Sequence, residues 1–348
     1  MTTTTQSEAI VSHRGERPEP DFGDTRAEFR ALLSQCGVYD LSGRAKVSVT
    51  GEDRVRWLNG MASNNIRDLA VGHGVYAFLL NAQGRIQADL YVYNLGDSLM
   101  LDIDGREKEK VLSHFDKFII MDDVEVKDVS ETLTAVGVAG PQAQEVLRHS
   151  GIESPELAPL QFCSPTCNCD CGCVQCTLVR GDNPTVTCYE IWLAPDKVRS
   201  TWDALVAAGA TSVGTHAAEL FRIGLGMPQF GVDIRERDLP QETGQTRALN
   251  FTKGCYLGQE IVERIRSRGA VHRQFTTFKV EGTPPEPGTK IVATEKPEKE
   301  VGEITSSAIL PLPGGDTPVA LGYLRREAAG KELLAGSAKL KVTALPIA

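Results

Sequence analysis

The sequence has no long apolar run: nothing approaches the roughly 20 residues that span a bilayer as a helix, which excludes a helical integral membrane protein. Aromatic residues are scarce at 6%, and acid outweighs base, with 37 Lys and Arg against 46 Asp and Glu for a formal charge of −9. Such a surface repels nucleic acid and anionic lipid, so an anionic ligand needs a local basic patch. Also missing are a P-loop, a G-x-G-x-x-G between strand and helix, an H-E-x-x-H and a G-x-S-x-G, and the six histidines are scattered. Residues 1–24 lack the apolar core of a secretory signal and read as a disordered tail. The nine cysteines are odd in number and clumped, in a chain that nothing exports, so reduced thiols and a cytoplasmic location are expected.

The 348 residues that are present suffice for two or three domains. Strand-like alternation at Lys46–Thr50 leads into a helix carrying Val55, Leu58 and Met61, with Thr50 and Asp53 placed as a capping box. Strand patterns follow at Val75–Leu80, Arg85–Tyr93 and Ser98–Ile103, the first two joined by the turn residues Asn81-Ala82-Gln83-Gly84. A second helix, capped by Asp104 and Glu107, carries Val111, Leu112, Phe115 and Phe118, and Val124–Val129 closes the unit. This order predicts a ferredoxin-like α+β layer over 47–131. A related order follows within 132–250: a strand at Thr132–Ala139, a helix at Pro141–His149, a hairpin from Val174–Arg180 and Thr185–Leu193, and a helix at Asp196–Ala208. From 274 to 348 short strands alternate with Gly and Pro clusters, the pattern of a small β-barrel.

The densest chemistry lies in Lys253-Gly254-Cys255-Tyr256-Leu257-Gly258-Gln259-Glu260, within the segment 251–273. Placed at a helix start, Cys255 would meet unpaired N–H groups and the helix dipole, which stabilise a thiolate, and Lys253 adds a positive charge. From Lys253 to Arg273 there are five cationic side chains (Lys253, Arg264, Arg266, Arg268 and Arg273) against Glu260 and Glu263. The plainer reading is a buried structural thiol beside a solvated helix face.

That octapeptide resembles the K-G-C-Y-x-G-Q-E signature of the YgfZ-type folate-binding proteins, relatives of the glycine-cleavage T-protein implicated in maturing iron-sulfur enzymes. The similarity continues through Phe230-Gly231-Val232-Asp233, Leu239-Pro240-Gln241-Glu242, Arg268-Gly269 and His272-Arg273. The resemblance implies an α+β chain of three domains in a ring: a central folate-binding domain from 25–46 and 132–250, the layer 47–131, and the C-terminal barrel. It implies tetrahydrofolate as ligand, with Cys255, Asp89 and Lys253 as reactive residues and Asp89, Glu190, Arg222, Tyr256 and Gln259 on the cofactor. Asp89 takes the second-Asp place of the T-protein stretch G-G-x-x-D-D-L, Glu190 the Glu of G-Y-E-I that grips the pterin edge, and Arg222 an Arg that contacts folate. Asp89 also reads as an exposed strand residue, and Glu190 and Arg222 as salt-bridge partners. Ala88 and Met100 stand where T-proteins carry Asp and Tyr, a departure that weighs against full aminomethyl transfer.

Six further cysteines fall between Cys163 and Cys176. On a straight strand alternate residues lie about 6.6 Å apart, whereas thiolates sharing one zinc lie only about 3.8 Å apart. Only a curled loop would let Cys167, Cys169, Cys171 and Cys173 hold a soft metal or an iron-sulfur cluster; otherwise these thiols are incidental. Three functions therefore compete: a folate-binding factor that assists iron-sulfur client or assembly proteins, a folate-dependent aminomethyltransferase, and a metal-binding protein that uses the cysteine insert. A membrane partner is excluded and nucleic acid is not expected, because the Arg264–Arg273 charges suit the anionic tail of folate equally well.

Overall fold

The computed structural model describes residues 18–153, 155–167, 175–183, 185–269 and 271–344. The chain divides into two compact units, one of residues 1–58, 65–76 and 90–218, the other of residues 59–64, 77–89 and 219–348.

In the first unit α1 (Thr25–Ser34) is capped by Asp24, whose carboxylate accepts from the N–H groups of Arg26 and Ala27, and Phe29 and Leu32 are buried. Then come β1 (Gly37–Asp40), β2 (Arg44–Thr50), α2 (Arg54–Met61), β3 (Gly74–Leu80), β4 (Ile86–Asn94) and β5 (Leu99–Asp104), of which residues 59–61 of α2, 77–80 of β3 and 86–89 of β4 are assigned to the second unit. Asp104 caps a 3₁₀ turn that leads into α3 (Lys108–Asp116), and β6 (Glu125–Asp128) follows. The strands form a five-stranded sheet in the order β3-β4-β5-β2-β6, with antiparallel pairing across β4-β5, β2-β5 and β2-β6. Two local expectations need correction. The Asp53 carboxylate accepts from Asp123 N–H and Arg56 instead of closing a capping box with Thr50. Phe118 lies beyond the end of α3 and is 38% exposed, its carbonyl accepting from the Trp57 indole N–H.

The chain continues through β7 (Thr134–Ala139), α4 (Ala143–His149), the two-residue strands β8 (Ile152–Glu153), β9 (Phe162–Cys163) and β10 (Thr166–Cys167), then β11 (Thr177–Arg180), β12 (Cys188–Leu193), α5 (Val198–Ala207), β13 (Thr211–Val213) and α6 (Thr215–Gly224). These give a six-stranded sheet in the order β13-β1-β7-β12-β11-β9. The period of two decides what each face does. Tyr189, Ile191 and Leu193 point into a core with Val198, Trp202 and Leu205 of α5, whereas Trp192 joins Tyr93 and Met100 of the other sheet. Gly137 on β7 lies in register with both Tyr39 and Glu190, and a β-carbon there would overlap the Tyr39 ring.

In the second unit α7 (Gln259–Arg268) precedes a closed six-stranded barrel of β14 (Arg273–Glu281), β15 (Lys290–Ala293), β16 (Lys296–Leu312), β17 (Gly315–Arg325), β18 (Leu333–Ala335) and β19 (Ala338–Thr343). Phe278, Ile291, Ile304 and Ala320 fill its interior. Closure removes the open strand edges that so short a sheet would otherwise expose. The expected α+β architecture with a small C-terminal barrel is therefore present. Among the described residues no helix is long and apolar enough to cross a membrane.

Candidate functional site

In the first unit the paired sheets hold a charged cluster. Lys46 on β2 and Asp102 on β5 are opposite in register, and both are fully buried. Lys46 Nζ donates to Asp102 Oδ2 at 2.7 Å, while Arg44 Nε reaches Asp102 Oδ1 at 2.5 Å. Burial pushes the Asp102 carboxyl up, but the charges of Arg44 and Lys46 prevail and hold it below the usual carboxylate range. Lys46 Nζ also lies 3.6 Å from Glu190 Oε2 and 4.5 Å from the centroid of the Trp192 ring.

Glu190 stands beside this pair. Its Oε2 accepts from the Trp192 indole N–H at 2.8 Å, and the ion pair with Lys46 falls on the same oxygen. Oε1 is left without a partner among the described residues, on a side chain that is 20% exposed. Burial, and next the neighbouring Asp102 charge, raise its pKa against the opposing pull of Lys46, Arg44 and the Trp192 hydrogen bond. The arrangement is an oriented carboxylate with one oxygen tied down and one without a partner among the described residues, beside the buried rings of Trp192 and Tyr93. Sequence reading singled out Glu190 but not Lys46, Asp102 or Trp192. The available signal was Asp102 itself, a charge inside the apolar strand Leu99-Met100-Leu101-Asp102-Ile103.

The second unit holds the signature loop. Cys255 is exposed, but the helix starts four residues later: Gly258, at φ 82°, is the N-cap of α7 and Gln259 its first residue. The expected direct influence of the helix dipole on Cys255 therefore gives way to a loop held from both sides. Gln259 Oε1 accepts from Tyr256 N–H at 3.1 Å, and Leu257 N–H donates to Gly60 O at 3.1 Å. Tyr256 is 8% exposed, its hydroxyl finds no partner among the described residues, and burial followed by the Glu263 charge pushes its pKa up to about 12.

Lys253 has a different task from the one expected. Its Nζ donates to the carbonyls of Asn59, Ala62 and Asn64 at 2.6, 2.6 and 2.7 Å, at and just beyond the C-terminal end of α2, where helical carbonyls lack partners. An ammonium has three N–H donors, and all three are used here. Arg222 is likewise committed. Its five N–H groups serve Glu219 twice, Met227 O, the fully buried Asp233 and Ser306, and the carboxylates of Glu219 and Asp233 hold its pKa up against burial. Of the two readings open for Arg222, the salt-bridge partner is the one seen, because no donor remains for a ligand.

Asp89 is half-buried on β4, and Ala88 beside it is 1% exposed on the opposite face. The turn that starts β4 belongs to the same unit as the signature loop. A β-carbon on Gly84, at φ 68°, would come within 2.7 Å of Ile261 Cβ, and one on Gly258 would collide with Asn81 O. Glycines at 84 and 258 are what let the hairpin and the start of α7 approach backbone to backbone. Cys169, Cys171 and Cys173, and the side chain of Cys167, lie outside the described residues. Among the described residues no group of three His, Cys, Asp or Glu side chains is placed to hold a metal ion.

Comparison with known proteins agrees with this architecture. Residues 9–253 match the GCVT N-terminal domain, and residues 273–346 match the CAF17 C-terminal beta-barrel domain. Among curated relatives, an aminomethyltransferase of Rubrobacter xylanophilus is 26% identical over 275 residues, covering 78% of this chain and 73% of the relative. An aminomethyltransferase of Lysinibacillus sphaericus is 23% identical over 295 residues, covering 83% and 79%. Among solved structures, the glycine cleavage system aminomethyltransferase T from Bartonella henselae superimposes with a TM-score of 0.81 at 22% identity, covering 93% of this chain and 89% of that one.

Proposed function

The chain belongs to the GCVT N-terminal domain family, and from that membership we propose that it binds tetrahydrofolate in the cytoplasm and supports iron-sulfur proteins through Cys255. The observation that carries the folate reading is Glu190. The amino-pyrimidine edge of a pterin offers parallel N–H donors, which suit a carboxylate already oriented by Trp192 and Lys46 with Oε1 open. Asp89, half-buried on β4, is the second carboxylate assigned to the cofactor, with Tyr256 and Gln259 as supports of the loop that carries Cys255. Bound tetrahydrofolate supplies reactive pterin nitrogens; the chain's own residues orient it and hold charge near it.

Titration calorimetry with tetrahydrofolate tests the first step: Glu190→Gln, which replaces an acceptor oxygen by an amide donor, is expected to weaken binding at least tenfold. Unchanged affinity refutes the assignment. For the second step, Cys255→Ala should fold and bind folate normally yet fail to restore iron-sulfur enzyme activities in cells lacking the protein; full restoration refutes a role for Cys255.

A second reading, aminomethyl transfer to tetrahydrofolate, is favoured by the names of the curated relatives. Against it stand Ala88, buried at 1% exposure where the T-protein pattern has a carboxylate, and Met100 in place of a tyrosine. Incubation with tetrahydrofolate and an aminomethyl-loaded lipoyl carrier protein decides between them. Ammonia and methylene-tetrahydrofolate that form in the wild type and fail to form in Asp89→Asn would make the protein a transferase.

A further inference from the structure

In the second unit an open cleft of about 350 Å³ lies between the end of α7 and the barrel, lined by Gln241, Phe251, Ile265, Arg266, Val271 and Arg326 among others. Its size falls in the range of small-molecule sites. Two guanidinium groups reach it, and neither is firmly held. Arg266 makes only marginal contacts, at 3.5 Å to Phe251 O and 3.5 Å to Glu263, while its guanidinium carbon sits 4.5 Å from the Phe251 ring centroid. Arg326 makes no side-chain hydrogen bond or ion pair with any described residue, and the adjacent Glu327 is turned toward Lys299 at 2.8 Å. Gln241 donates to Val262 O at 3.0 Å, and its own Oε1 is buried without a partner among the described residues. In a chain of charge −9, two weakly engaged arginines beside an aromatic ring concentrate positive charge at one place.

We propose that this cleft binds a small organic anion, a carboxylate or phosphate carried on an aromatic or apolar body. The planar fork of Arg326 accepts such a group in two parallel hydrogen bonds, which a point-charge lysine would not do. Arg266, already stacked on Phe251, offers its outer face to the ligand's ring, and Ile265 and Val271 supply apolar contact. The inference rests on none of the residues assigned above to the pterin.

The test is ligand-observed NMR on the full chain with four probes: benzoate, phenyl phosphate, acetate and inorganic phosphate. Benzoate or phenyl phosphate is expected to saturate with a dissociation constant at or below about 1 mM. Acetate and inorganic phosphate should bind at least tenfold more weakly, because they lack the body. The better of the two aromatic probes tells which anion the site prefers. R326Q should weaken that probe about tenfold, and R326K, which keeps the charge but not the fork, should recover only part of the loss. Both arginines are exposed, so R266Q/R326Q should keep the wild-type circular dichroism and melting temperature while losing saturation. Wild-type affinity in R266Q/R326Q, or acetate binding as tightly as benzoate, overturns the proposal. Failure of both aromatic probes to saturate overturns it equally, and since neither probe carries a pterin, that failure leaves the folate reading standing.

Discussion

Two lysines, one in each unit, show how the same ammonium is used in opposite ways. Lys46 is fully buried on a β-strand against Asp102 and the face of Trp192. Lys253 is half-buried in a loop, where its ammonium donates to three neutral carbonyls at and just beyond the end of α2. The first is a charge pair in a medium that penalises charge, so its worth lies in what it orients, namely Glu190. The second stitches a loop to a helix end and leaves Cys255, two residues on, exposed. Burial explains the difference. Water can replace a lost partner at Lys253, but the Asp102 carboxylate has no access to solvent.

The largest effect is therefore expected at the buried pair. Lys46→Met leaves Asp102 with Arg44 alone and should destabilise the first unit by about 3 kcal/mol, read from urea unfolding. Adding Asp102→Leu should recover most of that loss, and no recovery would show that packing, not charge, is what Lys46 supplies. Lys253→Met strands three carbonyls near solvent and should cost about 2 kcal/mol. It should also change the rate at which Cys255 reacts with a maleimide reagent; equal losses at the two lysines would erase the contrast drawn above.

Acid response sharpens the comparison further. Burial pushes the Glu303 carboxyl up, but hydrogen bonds from Lys290 at 2.9 Å and Arg235 at 2.6 Å win and hold it down to about 2. A depressed carboxylate contributes stability that is present above its ordinary pKa near 4.5 and is lost as pH falls toward 2. Glu303→Gln should thus cost on the order of 1–2 kcal/mol at pH 7, after allowance for solvent screening, and almost nothing at pH 2. Barrel unfolding measured at both pH values checks this. Glu190 is the reverse case and the smallest effect. Its raised pKa means that its contribution is present below the ordinary glutamate range and is lost as pH rises through the folded value. Glu190→Gln should therefore raise the melting temperature slightly at pH 8 and leave it unchanged at pH 4, even as folate affinity falls, which is the trade expected of a site kept for binding.

Much of this was legible in the chain. Alternation of apolar residues located β2, β4, β5, β7 and β12, and the turn residues Asn81–Gly84 located the hairpin, because local periodicity and turn chemistry are written in consecutive residues. The octapeptide from Lys253 to Glu260 marked the loop of interest, and Glu190 was found through its neighbours Tyr189 and Ile191. What failed was the assignment of partners. Lys253 read as a charge beside Cys255, and Arg222 as either a folate contact or a salt-bridge partner, because the groups that satisfy them are a helix end nearly 200 residues away and an aspartate beyond the next turn. Lys46 and Asp102 were passed over because 56 residues separate them, and only the register of β2 against β5 sets them face to face.

The sequence by itself determined the elements, the barrel and which segments carry unusual chemistry, since helical and strand periods, glycine turns and a charge in an apolar run are all local properties. Only the tertiary structure decided which charges are spent and which are open: Arg222 and Lys253 with every donor occupied, Glu190 with one oxygen held and one open, Arg326 with no side-chain partner among the described residues. The physical reason is that a polar side chain's function depends on the hydrogen bonds it has left after folding, and those are allotted by contacts between residues far apart in the chain.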